Sequence, residues 1–357
     1  MRISSVTPMK DEAPYLLEWV AYHRLIGIND IIVFSNGCVD GTDLMLERLD
    51  ELGVLRHFPN PSGVMDMTRH HLAAIRYINT SRRLFRSDWV VSLDVDEFIC
   101  VNVGDGRLTD LFTAVGDANV ISMSQHNFGC SGLRSYHDKL VIGQFRNAAD
   151  QQKAYHRRLN RRGTKTLTHI SAGAREFHNH SPVFHRGKVD QVRMVNGSGT
   201  PVTDADLTRD VKSLQAPQYG FDLVQLNHYA VKTMESFLLK AARGNANHAD
   251  AAYALPYWRK YNQNDMADLR ILRWMDRVQQ ERDRLLQDPE LRRLHDAAVT
   301  GAKARIAELK ARSDFAQLFE AVQVAHRGAT SKDQPVKAPA AMSAAKGHAS
   351  TQSSVRA

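Results

Sequence analysis

The chain has 357 residues, 43% apolar and 24% charged, and its 47 lysines and arginines against 39 acids give a net charge of +8. That length suits one large domain with an accessory element, or two domains, and no run of 18 apolar residues is present to form a membrane-spanning helix. The basic balance fits nucleic acid, an anionic membrane or a phosphorylated small molecule, and composition alone does not choose among them.

The opening MRISSVTPMKDE is too polar for the apolar region of a signal peptide. Arg2–Val6 reads as a short strand, and Asp11–Leu25 carries Leu16, Leu17 and Val20 near helical spacing, with Gly27 as its C-cap. Ile31–Phe34 is a continuous apolar run between turn residues, the pattern of a buried parallel strand. Thr42–Leu52 reads as a helix closed by Gly53, and Val54–Phe58 as the next strand. Leu72, Ile75, Ile78 and Phe85 mark one longer helix whose other face holds Arg76, Arg82, Arg83 and Arg86. Trp89–Leu93 and Val120–Met123 are further buried strands. This alternation predicts an α/β fold, a mainly parallel, Rossmann-like sheet flanked by helices.

Residues 130–220 hold short strand patterns at Leu140–Phe145, Leu167–Ile170 and Gln191–Val195 among Gly, Asn, Asp and His, which predicts long loops over the sheet. Leu223–Leu226 reads as strand and Thr233–Asn245 as helix. From Asp265 the sequence is helical and charged, with Leu291, Leu294, Ala298, Ala302, Ile306 and Leu309 forming one apolar stripe. Beyond Gly328 large apolar residues nearly vanish, so disorder is expected. The predicted organisation is an α/β domain over 1–250, a helical C-terminal extension over 251–328 and a tail over 329–357. Cys38, Cys100 and Cys130 are widely spaced and form no CxxC pair, which argues for a reducing compartment; the expected location is cytoplasmic, with peripheral contact at the inner face of the membrane open.

The most informative segment is Trp89-Val90-Val91-Ser92-Leu93-Asp94-Val95-Asp96-Glu97-Phe98, where an apolar strand ends in three carboxylates. Ligands of open α/β sheets bind outside the carboxyl ends of strands. Side chains alternate along extended backbone, so Asp94 and Asp96 project to one side and can share a hard cation. Oxygen ligation suits Mg²⁺ or Mn²⁺, which neutralises charge on a leaving diphosphate. The bland alternative is an acidic turn after an edge strand.

Read with Lys10-Asp11-Glu12, Glu18-Trp19, Tyr22-His23 and Ser35-Asn36-Gly37-Cys38-Val39-Asp40-Gly41-Thr42, this segment resembles the GT-A glycosyltransferases of the family 2 type, and most closely their family 92-like branch. Phe128–Gly132, Asn227-His228-Tyr229-Ala230-Val231-Lys232 and Phe237–Gly244 match that branch's later motifs, in order across about residues 1–245. The resemblance implies metal-dependent transfer of a hexose from a nucleotide-sugar donor to an acceptor hydroxyl, with inversion. It assigns Thr7, Lys10, Glu12 and Asp40 to the nucleotide, Asp94 and Asp96 to the metal, His228 to the metal shell, and Lys232, Lys240 and Arg243 to the diphosphate. The partners it implies are a nucleotide-sugar and a glycan or glycolipid acceptor of surface polysaccharide or glycolipid synthesis, and no nucleic acid. Arg69-His70-His71 stands where the branch often has a Gln, and the Glu-Asp pair used as base in many family 2 enzymes is missing.

Other readings stand beside these. Asp40 precedes Gly41-Thr42 and suits helix capping, and Glu12 suits a helix N-terminus through the dipole. Glu97 is expected to order the loop, or a metal-bound water. The base must be a carboxylate or imidazole within reach of the acceptor hydroxyl, and Glu176 and Asp66, in acceptor-side loops, are the candidates. His178 and His180 at alternate positions admit a metal, but no acid or Cys with ligand spacing accompanies them. The functional rivals are a basic nucleic-acid-binding protein and a non-catalytic GT-A fold that only binds nucleotide-sugar.

Overall fold

The computed structural model describes residues 1–152, 161–243 and 251–330. Its first part alternates as expected: β1 (Ile3–Met9), α1 (Ala13–Ile26), β2 (Asp30–Ser35), α2 (Thr42–Glu51), β3 (Arg56–Pro59), α3 (His70–Thr80), β4 (Trp89–Ser92), β5 (Glu97–Val101), α4 (Leu108–Val115) and β6 (Val120–Asn127). There follow α5 (Val141–Gln144), β7 (Asn147–Ala148), β8 (Arg161–His169), β9 (Met194–Asn196), β10 (Ser213–Gln215) and β11 (Val224–His228). The chain continues through α6 (Met234–Arg243), α7 (Ala251–Tyr261), β12 (Met266–Ala267), α8 (Met275–Leu285), α9 (Pro289–Ala311) and α10 (Ser313–Thr330).

The main sheet runs β3-β2-β1-β4-β8-β6-β11-β5, with β10 beside β8 and β9 beside β6. β3, β2, β1 and β4 are mutually parallel, joined by helical crossovers, so their carboxyl ends share one rim. β8 then runs antiparallel to both β4 and β6, and β11 is parallel to β6 but antiparallel to β5. The predicted parallel sheet is therefore the first half of a mixed one. All six residues of β2 are buried, and its central run Ile31–Phe34 is apolar on both sides, as a strand covered on both faces requires.

Local chemistry explains where elements end. Pro14 opens α1, and Gly27 closes it in the left-handed conformation (φ 119°), returning its N–H to the carbonyls of Arg24 and His23. The single helix expected over 72–86 is broken: α3 stops at Thr80, Arg82 turns left-handed (φ 53°), and Leu84–Arg86 make one 3₁₀ turn. Leu140–Phe145 is not a strand. Its centre is the short helix α5, because the buried Glu18 carboxylate accepts the N–H groups of Val141 (2.6 Å) and Ile142 (3.0 Å).

The C-terminal helices share the core of the sheet domain. Ile271, Trp274, Val278, Leu285 and Leu291 belong to the same buried cluster as Leu16, Trp19, Val91 and Phe98. All six residues of the Leu291–Leu309 stripe are buried. Asp288 caps α9 by accepting the N–H of Leu291 and also takes the Arg48 guanidinium of α2 at 2.6 Å. Of the expected tail, residues 329–330 close α10 and 331–357 lie outside the described residues, as do Gly244, Asn245 and the expected domain boundary at 250. No described helix is long and apolar enough to cross a membrane.

Candidate active site

Asp94, Val95 and Asp96 turn at the carboxyl end of β4, beside the ends of β1 and β2. Leu93 and Val95 are buried, which pins the backbone and leaves the two carboxylates on the other side. The side chain of Asp94 is 39% exposed, whereas that of Asp96 is 10% exposed.

Each aspartate has its own ammonium partner. Lys165 of β8, wholly buried, donates from Nζ to Asp94 Oδ2 (3.2 Å) and Asn179 Oδ1 (2.7 Å), and lies 3.4 Å from Glu97 Oε2. Burial pulls the Lys165 pKa down, but the two carboxylates overcome this and hold it above its ordinary value. Glu97 accepts the N–H of Asp94 (3.0 Å) and the amide of Gln125 (2.9 Å), so it orders the loop. Its burial pushes its own pKa up to about 7. On the other side, Lys240 of α6 donates to Asp96 Oδ2 (2.6 Å) and to the carbonyl of Ala230 (2.8 Å). Burial opposes ionisation of Asp96, yet Lys240 and its neighbours hold it well below the usual carboxylate range.

His228 ends β11 with Nδ1 2.9 Å from Asn127 Oδ1, and its Nε2 stands 3.8 Å from Asp96 Oδ1. The amide oxygen only accepts, so Nδ1 carries the proton and Nε2 presents a lone pair. Burial lowers the His228 pKa to about 4, so the ring is neutral at pH 7. Two acceptors therefore face each other across 3.8 Å, an arrangement that a cation would satisfy. Among the described residues, no three acidic, His or Cys side chains already converge in ligand geometry. Tyr261 of α7 meets the His228 ring edge-on at 5.1 Å, and Lys240 lies over the ring of Tyr257.

The nucleotide-side candidates separate. Glu12 pairs with Arg243 Nη2, while Lys232 Nζ lies 3.9 Å from Glu12 Oε2 and 4.2 Å from the centre of the Tyr15 ring. Arg243 also donates to the carbonyls of Lys10 (2.8 Å) and Asp11 (3.0 Å), tying α6 to the left-handed turn at Asp11 (φ 50°). Lys10 itself is exposed. Asp40 is not itself the N-cap, which is Gly41 for α2 and Glu12 for α1, but its carboxylate accepts the N–H groups of Thr42 and Ala13, each at 2.9 Å, and so fixes the starts of both helices together. Thr7 is fully buried in β1 with its hydroxyl unpartnered, and its side chain does not reach the surface of the site.

Of the two acceptor-side candidates, Glu176 falls on a hairpin whose legs meet at Glu176 and Val183. Asn179, near its tip, joins Lys165 and also accepts from the Ser92 hydroxyl at 3.2 Å. Glu176 lies on the leg, 3.3 Å from both Arg175 and His178. His180 Nδ1 donates to the carbonyl of Thr164 at 3.0 Å. Asp66 is exposed in a loop with φ 48°. Sequence reasoning missed Lys165, Asn179 and the locking of Asp96 by Lys240. A lysine at one position of a Thr-rich strand carries no motif, and its meaning comes only from the pairing of β8 with β4 and β6.

Residues 3–202 match the model of glycosyltransferase family 92. Two matches, both to a family 92 protein of the same name from Ricinus communis, are 26% identical over 133 residues and 25% over 149, covering 36% and 37% of this chain. The aligned parts make up 23% and 24% of those relatives, so the chain spans about a quarter of the length of the curated relatives it matches. Among solved structures, Staphylococcus aureus TarS 1–349 aligns over 92% of both chains at 9% identity and a TM-score of 0.29. The same protein in complex with UDP gives 10% identity and 0.31, again over 92% of both chains. HddC from Yersinia pseudotuberculosis gives 11% and 0.24 over 47% of this chain and 77% of that one. Overlaps this loose carry nothing about the site. The family match spans more than half of the chain, and the chain belongs to glycosyltransferase family 92.

Proposed function

We propose that this protein is a metal-dependent GT-A glycosyltransferase that moves a hexose from a nucleotide-diphosphate donor to an acceptor hydroxyl with inversion. The observation that carries the reading is the opposed pair Asp96 Oδ1 and His228 Nε2, 3.8 Å apart at the rim of the sheet. Asp94 adds a second, accessible carboxylate. Two carboxylates and one imidazole suit Mn²⁺, or Mg²⁺ with more retained water. A divalent cation held there stabilises the charge of the departing nucleoside diphosphate.

The chain's own residues do the rest. Lys240 now neutralises Asp96 and is near enough to share its charge with a diphosphate arriving at that carboxylate. Arg243 and Lys232 hold Glu12 beside the end of β1, the end that receives the nucleotide in this reading. Glu176 rather than Asp66 is the acceptor-side base in this reading, because its hairpin carries Asn179 to within bonding distance of the Lys165–Asp94 pair. Inversion requires a single displacement in which that carboxylate takes the acceptor proton as the anomeric bond to the diphosphate breaks. The acceptor belongs to a glycan or glycolipid, with peripheral contact to an anionic membrane where the acceptor is lipid-linked.

The test is hydrolysis of UDP-glucose, UDP-galactose, UDP-N-acetylglucosamine and GDP-mannose by purified protein with Mn²⁺. Wild type should release nucleotide from at least one donor and Asp96→Ala should not. Equal release by both proteins would overturn the metal assignment.

A further inference from the structure

A cleft of about 640 Å³ lies between the first residue of β8, Arg161, the strand β10 and the segment preceding β10. Its volume falls in the range of about 300–1,000 Å³ typical of small-molecule sites. We infer that this cleft is the subsite for an uncharged sugar of the acceptor, an assignment that rests on the proposed transferase reading.

Position is the first reason. Asp210, on the cleft wall, accepts the N–H groups of His180 (3.2 Å) and Ser181 (2.9 Å), next to the hairpin tip that holds Asn179. Lys212, also on the wall, accepts the N–H of Thr164 through its carbonyl at 3.2 Å, and Thr164 precedes Lys165 on β8. One residue of strand therefore separates the cleft wall from the lysine bonded to Asp94.

Charge is the second. Asp204, Asp206 and Asp210 are matched in the lining by Arg161, Arg209 and Lys212. A phosphate or nucleotide site needs an excess of donors and positive charge, whereas a balanced lining favours a neutral ligand rich in both donors and acceptors. Planar carboxylate, guanidinium and amide groups, the last from Gln215, offer paired atoms to vicinal hydroxyls. The apolar lining of Val211 and Leu214 suits the C–H face of a sugar ring.

Saturation-transfer NMR tests this on the full chain, with the methyl glycosides of glucose, galactose and mannose as probes and glucose 6-phosphate as the anionic comparison. At least one neutral glycoside should give transfer from wild type and bind about tenfold more weakly to Asp204→Ala/Gln215→Ala, the equivalent of about 1.4 kcal/mol. Should that double variant not fold, Arg209→Ala, whose side chain is 78% exposed, replaces it with the same expectation. Absence of signal from every neutral glycoside, undiminished signal in the variant, or preference for glucose 6-phosphate would overturn the inference. A melting shift with UDP and Mn²⁺, recorded on the same samples, reports on the donor site separately. If it persists while glycoside binding is absent, only the cleft assignment falls; if it is absent for all nucleotides, the transferase reading falls.

Discussion

At the scale of single residues, the site is a set of charges that each depend on one partner. Lys165 has no access to water and serves Asp94, Glu97 and Asn179 at once. Removing one member of such a buried set costs about 3–5 kcal/mol because the others are left uncompensated. Lys165→Met should lower the unfolding free energy by that order in urea titration, and Lys165→Arg should recover part of it. Asn127 fixes the tautomer of His228 from behind. Asn127→Ala is expected to weaken Mn²⁺ binding by about 10–100-fold, the usual cost of losing the hydrogen bond behind a ligating imidazole; calorimetry that finds unchanged affinity would remove His228 from the metal shell. The grouping of Asp94, Asp96 and His228 at one rim follows from sequence, because each stands at or just past the end of a strand whose apolar run is visible there. Thr7, which the resemblance assigns to the nucleotide, lies in a strand covered on both faces, so its burial was not readable from alternation along β1.

At the scale of elements, α6 straps the two halves of the site together. Lys240 reaches Asp96 at the end of β4, and Arg243 reaches Glu12 and two carbonyls at the end of β1. Arg243→Ala should lower both the melting temperature and the affinity for nucleoside diphosphate, since the turn at Asp11 and the position of Glu12 depend on it. A second polar layer joins β11 to the segment before α8. Asp268, buried, takes Arg270 and the amide of Gln225, and His126 Nε2 lies 3.3 Å from its carboxylate. Burial pushes the pKa of Asp268 up, but Arg270 and His126 outweigh it and hold it down at about 2. A carboxylate whose folded pKa lies below its unfolded value of about 3.9 stabilises the fold above that pH and loses this contribution as pH falls toward its folded pKa. Wild type should thus lose about 2 kcal/mol between roughly pH 5 and 2 through this group, and Asp268→Asn should show a flatter acid limb. The alternating strands and helices up to β6 were legible because their apolar runs repeat with clear periods. α5 was not, because its cause is Glu18, more than a hundred residues earlier in the chain.

At the scale of the whole molecule, the C-terminal helices are part of the same core as the sheet. Ile271, Trp274 and Val278 pack with α1 and the sheet, and Arg48–Asp288 closes α2 onto α9. A protein truncated after residue 262 is expected to be insoluble or to lack a cooperative melting transition; one that melts cooperatively near the full-length temperature would show the helices to be an appendage. The apolar stripe of α9 was visible in the sequence, but its partner was not, since a stripe states only that something covers it. The net charge of +8 was a poor guide to chemistry. The groups that define the site are carboxylates, and the cations that matter, Lys165, Lys240 and Arg243, are spent on them. The most direct test of the account is the melting temperature of wild type and Asp96→Ala with UDP, GDP and ADP, each with and without Mn²⁺. The account requires at least one nucleotide to raise the wild-type melting temperature only when Mn²⁺ is present, with that increment lost in Asp96→Ala. A nucleotide shift of equal size without the metal, or retained in the variant, would contradict it.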